Sequence, residues 1–141
     1  MSIWHTQATV ADLNKLSAGT LSERLGIEFL EIGDDYIRAR MPVDEGTVQP
    51  AGILHGGASV ALAETLGSVG AFLCENADQN HCVGLEINAN HVRTVRSGYV
   101  YGVARPLHRG GSTQIWEINI SNENGKLVCV SRLTLAVLSK G

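Results

Sequence analysis

The sequence predicts an α+β domain in which one long apolar helix lies across one face of a curved, mainly antiparallel sheet. Three observations carry this reading. The stretch from His55 to about Ala77 is Ala-rich and free of proline, with Val60, Leu62, Leu66, Val69, Phe72 and Leu73 at mainly helical spacings around most of its circumference, as expected of a buried helix. After it come four strand-like segments joined by short connections, the mark of antiparallel neighbours. The chain has 141 residues, 44% of them hydrophobic, which gives a single domain over residues 1–141 with a core of its own.

The elements follow in order. Thr9 is placed to cap a short helix over Val10 to Leu16, and Thr20 another over Leu21 to Leu25 that stops at Gly26. From Ile27 the pattern becomes β: Ile27 to Ile32, turn residues Gly33-Asp34-Asp35, then Tyr36 to Val43, read together as a hairpin. Beyond the long helix, strands are expected over His81 to Arg93, Tyr99 to Leu107, Gln114 to Ser121 and Leu127 to Leu138. Asn122-Glu123-Asn124-Gly125 supplies a hairpin turn between the last two. A lone apolar helix among strands must bury itself against the sheet they form. Small residues at Ala58, Ala61, Ala63, Gly67, Gly70 and Ala71 permit a close approach.

Composition removes several function classes. Eleven Lys and Arg against fourteen Asp and Glu give a net charge of −3 with both signs scattered, unlike the basic surface that binds nucleic acid. The N-terminus lacks the basic and apolar segments of a secretion signal, and no run is expected to reach the roughly 18 apolar residues of a membrane span. Cys74, Cys82 and Cys129 are odd in number and show no Cys-x-x-Cys spacing, so neither a disulfide framework nor a zinc ribbon is indicated. The five histidines show no metal-ligand spacing with them. A cytoplasmic protein without a metal is expected.

Dinucleotide fingerprints, phosphate loops, zinc-protease motifs and nucleophile elbows are all absent. The stretch from Gln49 to Ser68 carries the chemistry instead. Gly56 and Gly57 open the long helix, where backbone N–H groups are unpaired and the helix dipole is positive, a setting that suits a developing oxyanion. Eight residues later Glu64 places an acid in an otherwise apolar helix, costly unless it is hydrogen-bonded or functional. Ser68 follows at i+4 on the same face, where its hydroxyl can hold water or the carboxylate.

The pattern Gln-Pro-x-Gly-x-Leu-His-Gly-Gly, followed by Ala-Glu-Thr-Leu-Gly-Ser, resembles the hotdog-fold acyl-CoA thioesterases of the group that includes the Arthrobacter-type 4-hydroxybenzoyl-CoA and the 1,4-dihydroxy-2-naphthoyl-CoA thioesterases. Met41-Pro42-Val43-Asp44, the run Gly84 to His91, and Pro106-Leu107-His108 extend the likeness over nearly the whole chain. The resemblance implies the hotdog fold and hydrolysis of an acyl-CoA, aromatic in these relatives, with no cofactor. It makes Glu64 the catalytic carboxylate, nucleophile or general base. The Gly56 N–H becomes the oxyanion donor, Gln49 a side chain at the thioester carbonyl, His55 a supporting polar group, and Ser68 the hydroxyl that orients Glu64 or water. His91 and Arg93 then fall near the CoA arm. Arg109, Gly110, Gly111 and Ser112 could cradle a CoA phosphate, although the second glycine of that loop departs from the family pattern. A hotdog dehydratase of 3-hydroxyacyl thioesters and a non-catalytic acyl-CoA-binding module are the alternatives.

Helix geometry adds a constraint of its own. Eight residues separate Gly56 from Glu64 by about 12 Å along the axis, whereas an attacking oxygen must stand about 3 to 3.5 Å from the carbonyl carbon. One thioester is not served by both groups of one helix, so the expected site is shared between subunits and the minimal active unit is a homodimer. The family likeness implies a homotetramer as the larger assembly.

Overall fold

The computed structural model describes residues 1–141. Two short helices come first, α1 (Val10–Leu16) and α2 (Leu21–Leu25). Thr9 caps α1 reciprocally: its hydroxyl accepts from the Asp12 N–H at 3.1 Å, and the Asp12 carboxylate accepts from the Thr9 N–H at 2.9 Å. Thr20 is the N-cap of α2 as expected, but its hydroxyl makes no capping bond and donates to the Ser17 carbonyl at 2.6 Å instead. Gly26 ends α2 at φ 77°, a left-handed conformation that glycine adopts without strain.

The sheet contains β1 (Glu28–Ile32), β2 (Ile37–Pro42), β3 (Asn80–His91), β4 (Tyr99–Arg109), β5 (Thr113–Ser121) and β6 (Leu127–Ser139), and the long helix α3 (Gly56–Cys74) joins β2 to β3. Strand order is β1-β2-β4-β5-β6-β3, and every pairing is antiparallel. β5 shows why one face is the core. Its residues alternate strictly, with Gln114, Trp116, Ile118 and Ile120 buried, and α3 packs on that face. Glycines set the spacing of the two layers. A Cβ at Gly67 would stand 2.7 Å from Leu133, and one at Gly70 2.6 Å from the Trp116 ring. α3 is long and apolar enough to cross a membrane, but here it is the core helix of the sheet.

α3 stops at Cys74, short of the expected Ala77. Glu75 turns extended at ψ 155°, and the Asn76 side chain accepts from the Asp78 N–H at 3.0 Å, a local bond that competes with the helix ladder. The Glu75 carboxylate then accepts from Asn80 at 3.0 Å and from buried Gln114 at 2.9 Å. Gln114 in turn accepts from the Trp116 indole at 2.8 Å, which ties the helix end to the sheet. β4 continues past the expected Leu107 to Arg109, while Val92 and Arg93 lie beyond the end of β3.

β3 has an unusual position for its length. Its 12 residues pair only with β6, so its other edge is open. Val83, Leu85 and the nearby helix residue Phe72 are all exposed. A long open edge with apolar side chains is a ready template for pairing with another chain.

Candidate active site

The first turn of α3 is arranged around one free donor. His55 is its N-cap, with φ −67° and ψ 131°, and its Nδ1 accepts from the Gly57 N–H at 2.8 Å. Nδ1 therefore carries no proton, and the neutral ring keeps its hydrogen on Nε2. The His55 carbonyl accepts from the N–H groups of Ala58 at 3.0 Å and Ser59 at 3.3 Å. Only the Gly56 N–H in this turn is left without a partner in the chain. Capping thus satisfies every donor of the helix start except the one the sequence singled out.

That donor opens onto a cleft of about 450 Å³ whose lining includes Gln49, Gly56, Ser59, His91 and Arg93. The loop before the helix holds Gln49 in place. Its N–H donates to the Ile53 carbonyl at 2.9 Å, its carbonyl accepts from Gly52 at 2.8 Å, and Gly52 takes φ 79° to close the turn. The Gln49 side-chain oxygen accepts from the Ala51 N–H, which leaves its NH₂ group as the available donor. His91 comes from the end of β3, and its imidazole lies so close to Gly56 that a Cβ there would be 3.1 Å from Nε2. Arg93 is exposed and its Nε donates to the Leu127 carbonyl at 3.3 Å.

Glu64 and Ser68 stand elsewhere. The Glu64 carboxylate lies against Gly84 of β3, where a Cβ would meet Oε2 at 2.8 Å. Glu64 is half-buried, and neither a hydrogen bond nor an ion pair engages it within the chain. Ser68, also half-buried, forms no hydrogen bond to Glu64, so the expected support is not made within one chain. Gly84 and His91 pair with Leu135 and Cys129 of β6, about 20 Å apart along the strands. One chain therefore holds the free N–H at the C-terminal end of β3 and the free carboxylate seven residues back, beside Gly84 in its N-terminal half.

The Arg109 loop is at the Glu64 end. Gly110 donates its N–H to the Thr113 carbonyl at 2.8 Å, and Thr113 is level with Ala136 of β6. Gly111 and Ser112 are exposed, as is Arg109. Within one chain the loop does not join His91 and Arg93, and the set expected to bind CoA divides into two groups. Sequence reading missed two further residues. Gly84 provides the space for the Glu64 carboxylate next to a bulge at Leu85; an isolated glycine inside a strand was the available signal. Ser59 is 1% exposed and lines the cleft, a polar residue in the apolar face of α3. None of the three cysteines lines the cleft at Gly56. Burial pushes the Cys74 thiol up to about 11 and raises those of Cys82 and Cys129, and such thiols supply little thiolate.

Comparison with known proteins agrees with this fold. Residues 51–129 match the family model described as the thioesterase superfamily. The chain is 53% identical over 136 residues to a 1,4-dihydroxy-2-naphthoyl-CoA hydrolase of Escherichia coli, covering 96% of this chain and 99% of that one. It is 52% identical to the proofreading thioesterase EntH of Cronobacter turicensis, covering 96% and 98%. The thioesterase PA1618 of Pseudomonas aeruginosa superposes with a TM-score of 0.96 at 46% identity, covering 98% of this chain and 99% of that one. The chain belongs to the thioesterase superfamily, with the hotdog fold, and is a thioester hydrolase.

Proposed function

We propose that the protein hydrolyses an aromatic acyl-CoA to the free acid and CoA, in active sites shared between the two subunits of a cytoplasmic homodimer. The observation that carries this reading is the division of the chemistry along β3. A free N–H sits at its C-terminal end with Gln49 and His91, and an unpaired carboxylate sits beside Gly84 in its N-terminal half, on a strand with an open edge. Antiparallel pairing of β3 with a second copy, about a two-fold axis near Ile87 and Asn88, sets His91 opposite Gly84 of the partner subunit. Glu64 of the partner subunit then approaches the Gly56 N–H, and the exposed Val83, Leu85 and Phe72 are covered. The same operation brings the partner's Arg109 loop to the end of the joined sheet that carries His91 and Arg93. The Escherichia coli relative, named for a bicyclic aromatic thioester, supports an aromatic acyl group.

In this site the thioester oxygen accepts from the Gly56 N–H and the Gln49 NH₂ group, which stabilise the charge that develops on it. Two routes are open to Glu64. Its carboxylate either attacks the carbonyl carbon, forming an anhydride that water then opens, or takes a proton from water as the water attacks. Each route consumes one water, breaks the C–S bond and releases CoA as the thiol. To Ser68, one turn from Glu64, we assign the orienting of the carboxylate or the water. The test is Glu64→Gln, with thiol release from a panel of acyl-CoA thioesters followed by a thiol-reactive dye. Turnover is expected to fall roughly 10²-fold or more in a protein whose circular dichroism is unchanged. Near-normal turnover by that folded variant refutes the assignment.

A further inference from the structure

Two cavities flank the N-terminus of α3, and their linings differ. The cleft at Gly56 carries polar groups, among them Gln49, His91, Arg93 and Thr94. On the other side of His55 lies a second pocket of about 260 Å³, lined by Leu21 and Leu25 of α2, Val48, and Ala58 and Ala61 of α3, with Gly57 and His55 at its rim. Gly46 and Thr47 complete the lining, which contains no Asp, Glu, Lys or Arg side chain. A thioester of CoA is divided in the same way, with a polar, charged arm on the sulfur side of the carbonyl and an apolar group on the other. The carbonyl is the point where the two halves join, and its proposed donor, the Gly56 N–H, belongs to the residue next to Gly57.

We propose that the pocket between α2 and the first turns of α3 receives the acyl group, and that Leu21, Leu25 and Ala61 determine which acyl groups are accepted. This rests on the reading that Gly56 binds the thioester carbonyl. The reach fits. Adjacent residues are about 3.8 Å apart, so a carbonyl at Gly56 lies one residue from the Gly57 wall of the pocket, and the acyl group passes beside the His55 ring, which lies over Gly57 with its Nδ1 accepting from the Gly57 N–H. Ala58 and Ala61 keep the helix wall of the pocket low, and a volume of about 260 Å³ admits a ring or a fused ring pair. Leu21 is 63% exposed although it is a large apolar residue, an arrangement explained when its side chain forms the outer wall for an apolar ligand. α2 has no fully buried residue and only Leu25 packs against the core, so lining the pocket gives this short helix a purpose beyond the core.

The test compares kcat/KM for acetyl-CoA, benzoyl-CoA and a naphthoyl-CoA thioester in the wild type, Ala61→Phe and Leu21→Ala. Ala61→Phe fills the pocket from the helix side, and it is expected to lose at least about tenfold more on the aromatic thioesters than on acetyl-CoA. Leu21→Ala opens the outer wall from an exposed position and is expected to shift the preference among the three substrates without loss of fold. A structural defect lowers all three rates together, so unchanged ratios in both variants overturn the assignment of the pocket while leaving the hydrolase reading intact. A wild type that hydrolyses none of the thioesters refutes that reading, and this inference with it.

Discussion

Replacement of Gly56 by proline removes a single hydrogen-bond donor at low structural cost. In the structure the Gly56 N–H donates to no group in the chain, so proline takes no bond from the folded state. Proline is favoured at the first position of a helix, and the preceding residue, His55, already has the extended ψ of 131° that a residue before proline requires. Restricting the unfolded chain contributes about 0.4 to 1 kcal/mol toward stability. Against this stands the new Cβ, 3.1 Å from His91 Nε2, which meets the free end of an exposed side chain. Gly56→Ala introduces the same Cβ but keeps the N–H, and therefore measures the crowding alone. Loss of one oxyanion donor costs about 10²- to 10³-fold in kcat, or roughly 2.7 to 4 kcal/mol. The expected outcome is a proline variant with near-native melting temperature that is about 100-fold slower in thiol release than the alanine variant. If the two variants turn over within a few-fold of one another, the N–H does not stabilise the transition state and the reasoning fails.

Two further outcomes follow from the geometry. Arg93→Ala should raise KM for an acyl-CoA more than it lowers kcat, because an exposed guanidinium at the cleft rim binds ground and transition states alike; a defect confined to kcat would place Arg93 at the reacting carbonyl. Gly70→Ala should destabilise the fold by about 1 to 3 kcal/mol, seen as a lower melting temperature, since its Cβ would fall 2.6 Å from Trp116, which is fully buried and stacked on Trp4; an unchanged melting temperature would show that the ring can move.

The fold was legible because local pattern and tertiary demand coincide in this chain. The helical spacing from Val60 to Leu73 and the alternation over Gln114 to Ser121 each report a buried face directly. Boundaries were less legible where a side chain competes with the backbone. The Asn76 turn ends α3 early, and Thr20 bonds backward to Ser17 instead of forward into α2. At the site, Gly56 and Glu64 declare themselves through chemistry that is out of place in an apolar helix. Ser68 was read as a group that holds water or Glu64 from spacing and family likeness, and within one chain its hydroxyl forms no bond to Glu64. The separation of the Arg109 loop from His91 was not legible, because it depends on strand order: β3 lies at the sheet edge beside β6, with β5 and β6 between it and β4, which no local signal encodes.

The central claim is that each active site takes Gly56 from one subunit and Glu64 from the other. Complementation between two inactive variants tests it most directly. Glu64→Ala and Gly56→Pro homodimers should each be nearly inactive, once circular dichroism shows both to be folded. In a mixed dimer with two-fold symmetry, one site receives the intact Gly56 of the first chain and the intact Glu64 of the second, while the other site carries both defects. Equal amounts that exchange at random give about half mixed dimers, each with one good site of two, so activity is expected to recover to roughly a quarter of the wild-type value. Absence of recovery after verified subunit exchange would contradict the shared site, since groups drawn from a single chain leave every site with a defect.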